Sequence, residues 1–122
     1  MRLWFYKQIF CKVLGKINMF RIGTDIVKIS RIEKDIENER FKAGVFTEKE
    51  MARAKSAQNY AGLFAAKEAY LKALGTGINC KLNTIEILHN DNGKPYISGV
   101  PKADVSISHD GEYAVATVIL WE

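Results

Sequence analysis

From Phe20 the chain alternates, with Phe20, Ile22, Thr24 and Ile26 on one side and Arg21, Gly23, Asp25 and Val27 on the other. That two-residue period predicts a strand. Ser30 and Glu33 then have the spacing of a capping box, predicting a helix that turns Ile32 and Ile36 inward. Thr47 and Glu50 repeat the spacing after Val45-Phe46. The strongest helical pattern covers about residues 59–74, rich in Ala and Leu, and stops at Gly75. Two strands, 84–89 and 95–98, flank the turn-forming Asn90-Asp91-Asn92-Gly93. A further pair, 104–109 and 112–120, is joined through Asp110-Gly111. Helices in the first half and strands in the second predict an α+β fold, with a mainly antiparallel sheet packed against helices.

At 122 residues, 48% apolar and 26% charged, the chain has the make-up of one globular domain. Such a domain buries about two-thirds of its unfolded surface, enough to fold without disulfides or a structural metal. Cys11 and Cys80 are the only cysteines, which excludes a disulfide framework and suits a reducing cytoplasm. The net charge of +4 is local. Residues 1–18 hold Arg2, Lys7, Lys12 and Lys16 and no acid; removing these four from the 18 basic side chains leaves 14, matched by 14 acids. The body is neutral, so nucleic-acid binding loses its usual electrostatic footprint.

Residues 1–18 read as an appendage to a domain spanning 19–122, such as translated upstream sequence before Met19. On a helix, Gln8, Lys12 and Lys16 would share a stripe largely opposite Leu3, Trp4, Phe10 and Leu14. A helix docked on the body or lying on an anionic membrane surface therefore remains open. Lysines interrupt each apolar stretch before a signal peptide's core is reached, and no run of about 20 apolar residues could span a membrane.

Several positions have chemical potential and an ordinary structural explanation alike. Asp25 in the apolar strand is either a strand-edge carboxylate capping an amide or a group that handles metal or phosphate. Glu68 shares an unusually apolar helical stripe with Ala61, Phe64, Ala65 and Leu71. With Lys72 it is either a plain i,i+4 pair worth about 0.3–0.5 kcal/mol or half of a site. Gly75-Thr76-Gly77 is a helix stop or a set of amides for an anion, and it is not a Walker loop. His109 ends a strand of small residues, and no second histidine stands at metal-ligand spacing.

The order of these blocks is more specific than any one of them. Gly23-x-Asp25-Ile26 is followed by Phe46-Thr47-x-x-Glu50, then by Phe64-Ala65-Ala66-Lys67-Glu68-Ala69 running through Lys72-Ala73-x-Gly75-Thr76-Gly77. Gly93-Lys94-Pro95-Tyr96 and Ser106-Ile107-Ser108-His109 complete the series. From about Met19 to Leu120 the chain resembles the holo-(acyl-carrier-protein) synthases, the short class of 4′-phosphopantetheinyl transferases.

The resemblance implies the fold of that class and transfer of the phosphopantetheine arm of coenzyme A to a serine of apo-acyl carrier protein. Adenosine 3′,5′-bisphosphate leaves, and the reaction supports fatty acid biosynthesis. It implies Mg²⁺ as cofactor, held by Asp25 and Glu68 with waters and phosphate oxygens in the other positions. Asp25 and Glu68 would also be the catalytic residues; Glu68, or a water it orients, takes the serine proton. Lys72, Gly75, Lys94, Pro95, Ser108 and His109 would contact coenzyme A, while Arg31 and more weakly Arg40 would meet the acidic carrier protein. Longer relatives carry two similar halves with the site between them. A single half therefore implies a homotrimer with active sites at subunit interfaces, in which His109 faces the carboxylates of a neighbour. One departure is Leu63, where many relatives have a basic residue, so that one phosphate contact is missing or supplied elsewhere. A non-catalytic module that binds coenzyme A or a carrier protein is the alternative.

Overall fold

The computed structural model describes residues 19–75 and 80–122. The expectations placed on residues 1–18 and on Thr76-Gly77 therefore lie outside the described residues. Strand β1 (Phe20–Lys28) leads into α1 (Ile29–Asp35), α2 (Glu39–Val45), α3 (Glu48–Arg53) and the long α4 (Ala57–Leu74). A 3₁₀ turn at Leu82–Thr84 precedes the short hairpin of β2 (Ile87–His89) and β3 (Pro95–Ile97), and β4 (Ala103–Asp110) and β5 (Tyr113–Trp121) close the chain. The larger sheet has the order β1-β5-β4, and all its pairs are antiparallel. The α+β expectation is met.

Local signals explain most of the boundaries. The Thr47 hydroxyl accepts from the Glu50 amide while Glu50 Oε1 accepts from the Thr47 amide, so this capping box forms as the spacing requires. Helix α4 starts slightly earlier than its apolar pattern, capped by Ser56, and ends at Gly75 with φ at 72°. Asn38 caps α2, a helix that the apolar pattern did not announce, by accepting from the amides of Arg40 and Phe41. The Ser30–Glu33 box does not form. The cap position is Lys28, with no side-chain bond, because the Ile29 amide donates to Glu112 O at 2.8 Å and the helix begins straight off the strand. Ile32 is nevertheless fully buried, and Ile36 is half-buried at the helix end.

Helix α4 crosses the inner face of the large sheet. On β5 that face presents Ala114, Ala116 and Val118, and α4 answers with Ala61, Ala65, Ala69 and Ala73, all buried. Small residues on both sides permit a close approach. It is closest at Gly23, where a Cβ would stand 1.9 Å from Ala69 O and 2.6 Å from Ala73 N. The face of β1 that meets the helix is thus the less apolar one, Gly23-Asp25-Val27. Phe20, Ile22 and Ile26 point the other way, with Ile22 70% and Ile26 63% exposed.

Behind α4, Lys67 is wholly buried and donates to Glu50 Oε1 at 2.7 Å, to Leu82 O at 3.1 Å and to Val45 O. Burial lowers the Lys67 pKa from its ordinary value, and the Glu50 carboxylate opposes that shift. Glu50 Oε2 accepts from the Ile87 amide at 2.8 Å. One buried ion pair therefore ties α4 to α3, to the end of α2, to the 3₁₀ turn and to β2.

Candidate active site

Asp25 points at α4 because it alternates with Gly23 and Val27, and the Gly23 contact brings the helix within reach of so short a side chain. Lys72 Nζ donates to Asp25 Oδ1 at 3.0 Å; the Asp25 side chain is only 15% exposed, whereas Lys72 is open to solvent. Glu68 sits one turn before Lys72 on the same stripe. Burial, followed by the negative charge of Asp25, pushes the Glu68 carboxyl above its ordinary value, against the pull of Lys72 and Arg31. Asp25, Glu68 and Lys72 therefore form one cluster, with two carboxylates repelling each other beside a single lysine.

Two crowded oxygen donors suit a hard divalent cation that takes its remaining ligands from water and phosphate, since Mg²⁺ is seldom enclosed by protein alone. Among the described residues no group of three or more His, Cys, Asp or Glu could hold a metal ion. The pair fits a cation completed by its substrate and would not make a closed structural site.

His109 lies elsewhere. It is the penultimate residue of β4, on the inner face, with its Nε2 2.8 Å from Gln58 Nε2 in the first turn of α4. Gln58 and Glu68 are ten residues apart, about 15 Å along a helix. The chain therefore does not bring His109 to its own carboxylate cluster. Instead, His109 borders a cavity of about 250 Å³ between α3, α4 and the β2–β3 hairpin, where Arg53, Leu63, His89, Gly93 and Pro95 also contribute. That volume is below the roughly 300–1,000 Å³ of a complete small-molecule pocket, so the cavity can take only part of a larger ligand.

The other candidates are placed as follows. Lys94, in the β2–β3 turn, pairs with Asp104. Ser108 is exposed on the outer face of the sheet, opposite to its neighbour His109. The Gly75 amide donates to Leu71 O and Lys72 O, closing the helix beside the carboxylate cluster. Arg31 lies over the Phe64 ring at 5.5 Å from its centroid and 3.8 Å from Asp35 Oδ2, on the side of α4 that carries Glu68. Arg40 is exposed on α2. Sequence reasoning did not single out Gln58, Arg53 or the Glu50–Lys67 pair. Only the last had a signal, a lysine set among the buried positions of α4.

A family model described as the 4′-phosphopantetheinyl transferase superfamily matches residues 21–118. The chain is 42% identical over 117 residues to the holo-(acyl-carrier-protein) synthase of Fusobacterium nucleatum, covering 81% of this chain and 96% of that one. It is 46% identical over 110 residues to the synthase of Nautilia profundicola, covering 81% and 97%. A Bacillus anthracis holo-(acyl-carrier-protein) synthase, whose crystal structure is in complex with coenzyme A (3′,5′-ADP), aligns with a TM-score of 0.74 at 39% identity, over 84% of this chain and 96% of that one. The Helicobacter pylori synthase in complex with coenzyme A aligns with a TM-score of 0.74 at 31% identity, over 83% and 99%.

Proposed function

The chain belongs to the 4′-phosphopantetheinyl transferase superfamily, as a phosphopantetheinyl transferase of the holo-(acyl-carrier-protein) synthase class, and on that premise we propose how its own residues carry the transfer. The observation that carries the reading is the cluster of Asp25, Glu68 and Lys72, two oxygen donors and a cation on one open face. Asp25 and Glu68 would hold Mg²⁺, which when bound neutralises pyrophosphate charge and polarises the phosphoryl group. Lys72, exposed beside them, would take a phosphate oxygen. Glu68, or a water it orients, would accept the proton of the attacking serine as the ester forms.

His109 would contact the phosphates from the far side, whereas the side chain of Ser108 lies on the other face of the sheet; Lys94 and Pro95 would shape the nucleotide end. Gly75 would let the chain turn close to the substrate. Because His109 is about 15 Å of helix away from the carboxylates of its own chain, the two sets of residues meet only if chains associate. The exposed apolar face of β1, with Ile22 and Ile26 in the open, supports such association. We assign a homotrimer whose three sites each combine Asp25, Glu68 and Lys72 of one chain with His109 of the next. Head-to-tail contacts of this kind close into a ring.

Arg31 and Arg40 would receive the acidic surface of an apo-acyl carrier protein serving fatty acid biosynthesis in the cytoplasm, with residues 19–122 as the working domain and 1–18 as an appendage. Among the described residues no helix is long and apolar enough to cross a membrane. Mixing the protein with apo-carrier protein, coenzyme A and Mg²⁺ should raise the carrier mass by one phosphopantetheine. An unchanged mass with retained coenzyme A binding would mean a module that binds without transferring. Mixing Glu68→Gln and His109→Ala chains should restore activity that neither has alone; no recovery in verified mixed trimers would put the whole site in one chain.

A further inference from the structure

Lys67 and Glu50 are the only charged side chains buried among the described residues, and no step of the transfer uses them. Each polar atom of the pair is nonetheless engaged. The Lys67 ammonium has three protons and three acceptors, Glu50 Oε1, Val45 O and Leu82 O. Glu50 Oε1 also accepts from the Thr47 amide, and Oε2 accepts from the Ile87 amide. A buried ion pair adds little to stability over apolar side chains of the same volume, so stability does not account for it. A fully satisfied network does what apolar contact cannot: its bonds are directional and admit one arrangement of the groups they join.

Those groups belong to three walls of the cavity beside His109. Glu50 on α3 and Ile87 on β2 both border it, as do Gly62 and Leu63 of α4. Glu50 Oε2 therefore joins the first wall to the second, and Lys67 ties the same carboxylate to the third. The hairpin wall needs such a tie. Strands β2 and β3 form a sheet of their own, outside the three-stranded one, and an isolated hairpin is marginal in water. Near its turn the hairpin is held by Lys94 with Asp104, an exposed pair of the kind that contributes little, and at its buried end by Glu50. Lys67 also precedes Glu68 in the chain, so the walls are held to the turn of α4 that carries the carboxylate cluster. We propose that Lys67 and Glu50 are positioning residues, a buried clasp that sets the spacing of the α3 and hairpin walls from α4 and thereby the affinity for coenzyme A. The proposal rests on the reading that this cavity receives the nucleotide end.

The double variant Lys67→Met/Glu50→Gln of the full-length protein separates positioning from stability, because it nearly keeps the volume of both side chains while removing the tie to α4. Its urea midpoint should return close to wild type, whereas its KM for coenzyme A should stay raised about tenfold, within the roughly 100-fold that a 1 Å misplacement can cost. Turnover and the KM for carrier protein should change little, the signature of binding lost equally from ground and transition states. Calorimetric titration with adenosine 3′,5′-bisphosphate should show the same weakening without turnover. A restored midpoint together with a wild-type KM would overturn the proposal, since the pair would then act on stability alone. Glu50→Gln by itself is the second variant: one carbonyl oxygen replaces two carboxylate oxygens, so Lys67 and the Ile87 amide cannot both keep their places. It should raise the KM for coenzyme A in the same way, and failure of both variants to fold would make the pair a stability element and overturn the positioning role. His109→Ala checks the underlying reading separately: bisphosphate binding left at wild-type strength would mean that the nucleotide sits elsewhere, and the proposal would fall with that reading. Binding that the clasp variants weaken in a protein that transfers nothing would retain the clasp and sink the enzymatic reading.

Discussion

Replacing Gly23 with alanine adds one methyl group, and its effect follows from the packing of β1 on α4. The added Cβ would lie 1.9 Å from Ala69 O and 2.6 Å from Ala73 N, both of them backbone atoms of a helix that cannot rotate out of the way. Ordinary contact begins at 3.4 Å, so strand and helix must part by about 1.5 Å at this point. Overpacking a filled interior costs about 1–3 kcal/mol, and a clash with backbone belongs at the upper end or beyond. With a urea m-value of about 1–3 kcal/mol/M, the unfolding midpoint should fall by roughly 1 M or more. The same parting lifts Asp25, two residues along the strand, away from Lys72 and Glu68. Displacements near 1 Å in a reacting constellation can cost about 100-fold in rate. Urea titration and initial transfer rates measured on the same sample would read both effects. Gly44→Ala is the control: nothing lies within 4 Å of its Cβ, it sits inside α2, and the exchange should stabilise by about 0.4–1 kcal/mol. If Gly23→Ala kept the wild-type midpoint and rate, the close approach would not be what positions Asp25.

Four further outcomes are expected. Asp25→Asn and Glu68→Gln should each lose most transfer at limiting Mg²⁺ with the fold intact; near-normal turnover in either would remove it from the cation site. Because the folded-state pKa of Glu68 is raised, its contribution to stability is full below the ordinary glutamate value and lost as pH rises through the raised one, so the Gln variant should show a flatter melting profile across that window. Lys67→Met should destabilise by about 3–5 kcal/mol because it leaves the Glu50 carboxylate buried and unpaired, and the Lys67→Met/Glu50→Gln double variant should recover much of the loss; no recovery would mean that Glu50 is not the stranded group. Arg31→Glu should raise the KM for carrier protein far more than that for coenzyme A, and added salt should weaken wild type in the same direction, since exposed charges are screened over about 8–10 Å near physiological ionic strength; equal effects on the two substrates would refute the docking role.

What could be read from the sequence is what depends on neighbours within a few residues. The Thr47–Glu50 box and the stop at Gly75 involve atoms one turn apart, so they form as written. The alternation of β1 and the turn at Asp110-Gly111 are local in the same sense, and they delimit the strands to within a residue or two. Ser30–Glu33 has the same spacing as Thr47–Glu50 and fails, because Glu112, far along the chain, accepts from the Ile29 amide and starts the helix early. Strand 84–89 was shortened for a related reason: Leu82–Thr84 winds into a 3₁₀ turn whose Leu82 carbonyl accepts from the buried Lys67. Periodicity states that β1 has two faces, and only packing chose between them. The absent Cβ of Gly23 and the alanines of β5 let α4 lie against the less apolar face, which buries Asp25 beside Glu68 and leaves Ile22 and Ile26 outside. The separation of His109 from those carboxylates is likewise tertiary. A helix that rises about 1.5 Å per residue keeps Gln58 and Glu68 at distant points of one axis, however near their motifs stand in the chain.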